Sequence, residues 1–299
     1  MPTAGELVKA TDLVLALGGC ASNAAVDLAK LDVPSAICGK AGDDVFGRFV
    51  AETLRSHNVD TRALQVDPTR ATSQTLIINV QGQDRRFIHS FGANEGLTAA
   101  DIDAALAACE SAKALYVGGY LILPSLDPEA LAERFARCRA QGIHTVLDVA
   151  TPGPADYLVK LKPVLPYTDV FLPNSDEAAL ILGERDPVRQ ALAFHDLGAA
   201  RVVITRGEGG SVAVSDQMRV KLGVFNVPFV DGSGGGDAFD AGYIAGLLDG
   251  RDEMGCLALA SALGASCVRA VGTTGSVFHR AEAEEFLRLR SRELTVESF

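Results

Sequence analysis

The chain has no tryptophan and three methionines, and none of its cysteines forms a CxxC pair. The six cysteines, Cys20, Cys38, Cys109, Cys138, Cys256 and Cys267, are scattered, with no histidine at metal-ligand spacing. That pattern excludes a zinc finger or a disulfide framework and suits buried thiols in a reducing compartment. Basic residues are also scarce. Against 38 Asp and Glu stand 27 Lys and Arg, a net charge of -11, which disfavours nucleic acid as a partner while leaving room for a local phosphate site. No stretch supplies the roughly 18 consecutive apolar residues of a membrane span, and the opening MPTAGELVKATD lacks the apolar core of a signal peptide. The expectation is a cytoplasmic protein with no membrane among its partners.

Hydrophobic residues make up 48% of the 299 positions and charged ones 22%, enough for one large α/β domain with a small appendage. From about residue 98 the sequence alternates helical periodicity with short β-rich runs: AALAACESAKALYVGG, PEALAERFARCRAQGIHTVLDV, DVFLPNSDEAALILG and VRQALAFHDLGAARVVITRG. Helices feeding buried strands in this rhythm predict βαβ crossovers around a mostly parallel sheet flanked by helices. Before residue 92 the pattern differs. LVKATDLVLALGG (7–19) and SQTLIINVQGQDRRFIHSFG (73–92) have strand composition, with GQD (82–84) as a hairpin turn, while SNAAVDLAKL reads as a helix and VPSAICGKAG as a core strand. We expect a body of residues 18–63 and 92–299 and a small β lid of residues 5–17 and 64–91 over a cleft. Toward the C-terminus, DAFDAGYIAGLLDG and DEMGCLALASALGASCVRA read as two helices rich in small residues, followed by a charged helix, HRAEAEEFLRLRSRE.

The strongest local signal is DGSGGGDAF, residues 231–239, which follows the apolar run GVFNVPFV and opens a helix. Gly234, Gly235 and Gly236 remove Cβ atoms from the turn, so backbone N–H groups and the first amides of the helix can converge on an anion such as a phosphoryl group. A carboxylate at the mouth of that nest, Asp237, gains a purpose if a hydroxyl lies between the two, because the aspartate takes its proton as the oxygen attacks phosphorus. The plainer reading is that Asp237 belongs to a helix start. No GK[ST] follows the glycines, and position 239, where GxGxxG needs its third glycine, is Phe239.

The stretch resembles the C-terminal signature DTxGAGDxF of the PfkB, or ribokinase-like, carbohydrate kinases, with Gly235 in place of the usual alanine. The resemblance extends over nearly the whole chain. Gly18-Gly19-Cys20-Ala-Ser-Asn23, then Gly39-Lys-Ala-Gly42-Asp43-Asp44, resemble the N-terminal signature, and Gly92-Ala-Asn94 a substrate-side segment. It implies an ATP-dependent kinase with a ribokinase-like α/β fold and a small β lid, acting on a primary hydroxyl of a sugar, sugar acid or nucleoside. By the same resemblance Asp237 is the general base and Gly234, Gly235 and Gly236 form its anion hole. Gly18, Gly19, Asn23, Asp43 and Asn94 then bind substrate. Asn174 and Glu177 organise Mg2+-bound water and phosphate oxygens, and Thr205, Gly207 and Gly210 approach the triphosphate. Gly264, Ser266 and Cys267 flank adenine, and Asp231 helps shape a monovalent-cation site for K+.

Without the family, Asn23 either contacts a polyol through its donor and acceptor or caps or packs locally, Asp43 is a turn residue, and Asn174 or Ser175 caps a helix. The opening PTAGELVKATD resembles the segment beyond the family's first core strand, so that strand and its pocket aspartate are expected to be absent. Cys20 stands where ribokinase proper commonly has a lysine, and Tyr116-Val-Gly118-Gly119-Tyr120 lacks the carboxylate found near that strand end, which argues against simple ribokinase specificity. Tyr120 either stacks on a ring or covers the core edge, and His89 either reaches substrate from the lid or faces solvent. A catalytically silent small-molecule sensor is the alternative function. A homodimer sealed through two lids is the expected assembly.

Overall fold

A computed structural model describes residues 3–78 and 86–299. In chain order the elements are α1 (Cys20–Lys30), β1 (Ala36–Gly42), α2 (Val45–Ser56), β2 (Asp60–Asp67), β3 (Gln74–Ile78), β4 (Arg86–Ser90), α3 (Ala99–Ala108), β5 (Ala114–Val117), α4 (Pro128–Ala140) and β6 (His144–Leu147). There follow α5 (Leu158–Leu161), β7 (Val170–Phe171), α6 (Ser175–Leu182), α7 (Pro187–Asp196), β8 (Arg201–Thr205), β9 (Ser211–Ser215), β10 (Arg219–Leu222), α8 (Gly235–Leu248), α9 (Glu253–Cys267), α10 (Arg280–Arg290) and β11 (Val296–Ser298).

Seven strands form one sheet in the order β11-β10-β9-β8-β7-β6-β5. The β5 to β8 half is parallel, as the crossovers predict, and β9, β10 and β11 extend it antiparallel. Alternation along a strand sends neighbouring side chains to opposite faces. Val203 therefore joins a core with α1, α8, α9 and α10, while Val202 and Ile204 join a second core on the other face with α3, α4, α6 and α7. Tyr120 is fully buried in that second core, which settles its role as packing. β1 and β2 make a separate parallel pair, and β3 and β4 an antiparallel ribbon that is the β lid.

The strand expected over residues 7–19 is not formed. Residues 6–18 carry no strand pairing, and Leu7, Val8, Leu13, Val14 and Leu15 stand exposed. β-rich composition describes side chains that suit a pleated surface, but a strand also needs ladder hydrogen bonds, and none join residues 6–18 to the outer edges of the β1–β2 or β3–β4 pairs. β2 runs from residue 60 to 67, across the body–lid boundary expected after residue 63. The GQD turn lies outside the described residues. Among the described residues, no helix is long and apolar enough to cross a membrane.

The carboxyl ends of the parallel strands and the N-termini of α1, α6 and α8 supply the candidate site, the position at which open α/β sheets bind ligands. What fixes α8 there is its contact with α9. A Cβ on Gly242 would lie 2.7 Å from Ala260 Cα, and one on Gly246 2.8 Å from Cys256 Cα. The helices thus meet backbone to backbone. Gly242→Val is expected to cost about 2–3 kcal/mol through overpacking, read as a lower urea midpoint at unchanged slope; an unchanged midpoint would refute this account of the contact.

Candidate active site

Gly234 caps α8 with φ 76°, and a Cβ there would come 2.3 Å from Thr273 O, so both backbone conformation and space demand glycine. The space beside Gly236 is open. The helical ladder begins with Ala238 N–H on Gly234 O, which leaves the first turn of α8 facing the mouth of the nest. Asp237 stands in that turn. Its Oδ2 accepts a 2.7 Å hydrogen bond from Nδ2 of Asn23, a buried residue of α1. Gly19, at φ 92°, is the N-cap of α1, and neither Gly18 nor Gly19 would bring a Cβ within 4 Å of a neighbour. The glycine turn, Asn23 and Asp237 therefore share one wall.

Next to them lies a group that the sequence reading missed. Cys20 Sγ and one carboxylate oxygen each of Asp148 and Asp237 lie within 4.8 Å of one another. Asp148 follows β6, and its Oδ2 accepts from Gly119 N–H at 3.0 Å. Tyr116 donates its hydroxyl to Asp240 Oδ2 at 2.8 Å. Desolvation is the largest cause of an upward pKa shift at Asp237, Asp148, Asp240 and Cys20, and neighbouring negative charge adds to it at Asp148, Asp240 and Cys20. At Asp237 the bonds from Asn23 and Cys20 oppose the shift. A carboxylate directly after an apolar parallel strand, as in TVLDV, is the signal that points to Asp148. Nothing local marks Asp240, whose partner is 124 residues away.

At the N-terminus of α6, Asn174 and Glu177 form a reciprocal cap. Asn174 Oδ1 accepts from the backbone N–H groups of Asp176 and Glu177, while Glu177 Oε2 accepts from Asn174 N–H at 2.9 Å. Both are thus capping residues, and the cap holds Glu177 beside the cluster. Desolvation, then the charge of Asp148, pushes its carboxyl upward. A hydrated Mg2+ needs only one outer carboxylate oxygen, so the cap is compatible with that role. Asn174 also bridges to Thr205 at the end of β8, bringing these two expected residues together. Beyond it, Gly207 and Gly210 have φ of 52° and 79°, and a Cβ on Gly210 would strike Leu222 O at 1.9 Å.

Other expected residues are placed differently. Ser266 and Cys267 are fully buried; Ser266 Oγ donates to Leu263 O, and Cys267 Sγ lies 3.3 Å from Ser233 O and 3.2 Å from Thr273 O. The Cys267 thiol ties α9 to the glycine loop and the Ser266 hydroxyl bonds within α9 and accepts from Phe278 N–H, whereas Gly264 is half-exposed beside Phe239 and Gly235 O. Buried Asp231 accepts from Ser233 N–H and Oγ through Oδ1 and from Gly272 N–H through Oδ2, so its visible work is shaping the loop. Asp43 is exposed, 3.9 Å from Arg48. Its neighbour Asp44 organises that turn, capping α2 and accepting from Thr72. Asn94 Oδ1 accepts from Lys40 N–H. His89 on the lid ribbon meets Thr75 Oγ1 at 2.8 Å.

Residues 1–279 match the family described as pfkB family carbohydrate kinase. Ribokinase of Bacillus subtilis (strain 168) is 29% identical over 286 residues, covering 96% of this chain and 92% of that protein. A fructokinase of Rhizobium leguminosarum bv. trifolii is 30% identical over 77% of this chain and 71% of its own length. Among solved structures, Arabidopsis thaliana ribokinase complexed with ribose and ATP superposes with a TM-score of 0.81 at 22% identity, covering 96% of this chain and 93% of that one.

The desolvated carboxyls make folding pH-dependent with a definite sign. An acid whose pKa is raised by folding keeps a proton that the unfolded chain releases above about pH 4, so stability falls as pH rises toward the shifted value. The thermal midpoint is therefore expected to decline between about pH 5 and 8, and Asp240→Asn to flatten part of that decline. A midpoint that climbs across the same window would show that these acids are ionised in the folded protein.

Proposed function

The chain belongs to the pfkB family of carbohydrate kinases, and from that premise we propose that it transfers the terminal phosphoryl group of ATP to a primary hydroxyl of a sugar, sugar acid or nucleoside, with Asp237 as general base. It is a phosphotransferase with an alcohol acceptor. The observation that carries the residue assignment is Asp237 in the first turn of α8, bonded to Asn23 and next to a glycine turn whose backbone is open to an anion. A hydroxyl beside Asp237 Oδ gives up its proton as its oxygen closes on phosphorus, while the amides of the turn stabilise negative charge on the transferred group. Asn23 orients the carboxylate and offers the sugar an amide. A silent sensor has no use for a carboxylate held at an anion nest. Mg2+, arriving with the nucleotide, would neutralise phosphate charge, with Asn174 and Glu177 at hand to hold its water shell.

The acceptor is a small polyol. Curated relatives include ribokinases, deoxyribokinases, a fructokinase and an ATP-dependent 6-phosphofructokinase, so pentoses and hexoses head the candidates. The exposed apolar side chains of the lid, Leu76, Phe87 and Ile88, support a homodimer formed through two lids.

Coupled ADP release with ATP and Mg2+, screened against ribose, 2-deoxyribose, fructose, 2-keto-3-deoxygluconate and adenosine, tests the activity. Asp237→Asn is expected to lower kcat by a factor of about 10²–10⁴ with little change in KM for ATP. Because the base works ionised and desolvation raises its pKa, kcat should fall on the acid side. Full activity in Asp237→Asn would remove the general-base assignment. In sedimentation, the wild type should run as a dimer and Ile88→Glu as a monomer; a monomeric wild type would end the lid proposal.

A further inference from the structure

Asp27 lies one helical turn after Asn23 on α1 and is completely buried. Neither of its carboxyl oxygens has a hydrogen-bond partner among the described residues, and Asn23 Oδ1, also buried, has none. Positions i and i+4 share one face of a helix, so these three buried acceptor atoms without a donor belong to neighbouring side chains. The neighbours cannot supply one. Lys30 Nζ is spent on the carbonyl oxygens of Thr274, Gly275 and Val277, and the single thiol hydrogen of Cys267 is claimed by Ser233 O and Thr273 O. The charges facing Asp27 are Lys30 on its own helix, Asp237 on α8 and Cys267 on α9. His57, just after α2, and Glu282 on α10 act on Lys30 instead.

We propose that Asp27 is a positioning residue for the phosphoryl-transfer site: its carboxyl O–H donates to Asn23 Oδ1, which commits Asn23 Nδ2–H to Asp237. One proton then satisfies two orphaned groups. Without it the Asn23 amide is free to turn over and present Oδ1 to the Asp237 carboxylate, an acceptor facing an acceptor. Desolvation pushes the Asp27 carboxyl up to about 8, with the charge of Asp237 adding to the rise and Lys30 opposing it. The neutral acid therefore prevails at neutral pH, and the relay weakens as pH rises through that value.

The proposal rests on the kinase reading only for its kinetic arm, so the first test is made on the resting protein. An infrared difference spectrum, wild type minus Asp27→Asn at pH 7, should show the C=O stretch of a protonated carboxylic acid, fading in more alkaline buffer. Absence of that band at pH 7 overturns the proposal whether or not the protein is a kinase. For the kinetic arm, with ribose or fructose as acceptor, Asp27→Leu should lower kcat/KM for the sugar about tenfold with KM for ATP unchanged. Asp27→Asn, whose amide N–H can replace the acid O–H, should stay within about threefold of wild type and lose the alkaline decline. Equal activities in folded Leu and Asn variants would overturn the proposal. A wild type silent toward every acceptor would count against the kinase reading, and the infrared band would still decide the relay.

Discussion

The hydrogen bond between Asn23 and Asp237 joins residues 214 positions apart, and the site depends on it. It closes α1 against α8 where the strand ends of the sheet open. On one side stands the glycine turn with its amides, on the other the carboxyls of Asp148, Asp237 and Asp240. Desolvation raises the pKa of all three, so the resting site disfavours their ionised forms.

Much of this was legible in the chain. The βαβ rhythm after residue 98 yields the parallel half of the sheet because helix and strand periodicities are local, and Asp237 stands out because its glycines and helix start lie within a few residues. Asn174 and Glu177 could be read two ways, and the structure supports the capping reading while leaving the carboxylate beside the cluster. What escaped depends on partners far away in sequence. Asp148 meets Asp237 and Cys20 only after three elements have folded together, and the Tyr116–Asp240 bond has no local signature.

Composition and residue size become elements and sites only through partners. Residues 7–19 have the composition of a strand but pair with no neighbouring edge, so composition without pairing produced no element. Ser266 and Cys267 look like small residues left open for a ring, yet both side chains turn inward and bond to backbone carbonyls. Small size says that something approaches closely. Whether it is ligand or the protein's own main chain is decided only by packing.

That distinction returns at the contact of α8 with α9, where Gly242 and Gly246 let two backbones touch. With no side chains between them at these two positions to change rotamer, the helices form a single stiff block, and Asp237 and the glycine turn at its end share one frame of reference. Any adjustment around a bound molecule must then be made by parts outside that block, such as the ribbon of β3 and β4. The protein thus resembles an anvil: whatever binds at the end of α8 meets a fixed surface, and adjustment falls to the parts around it.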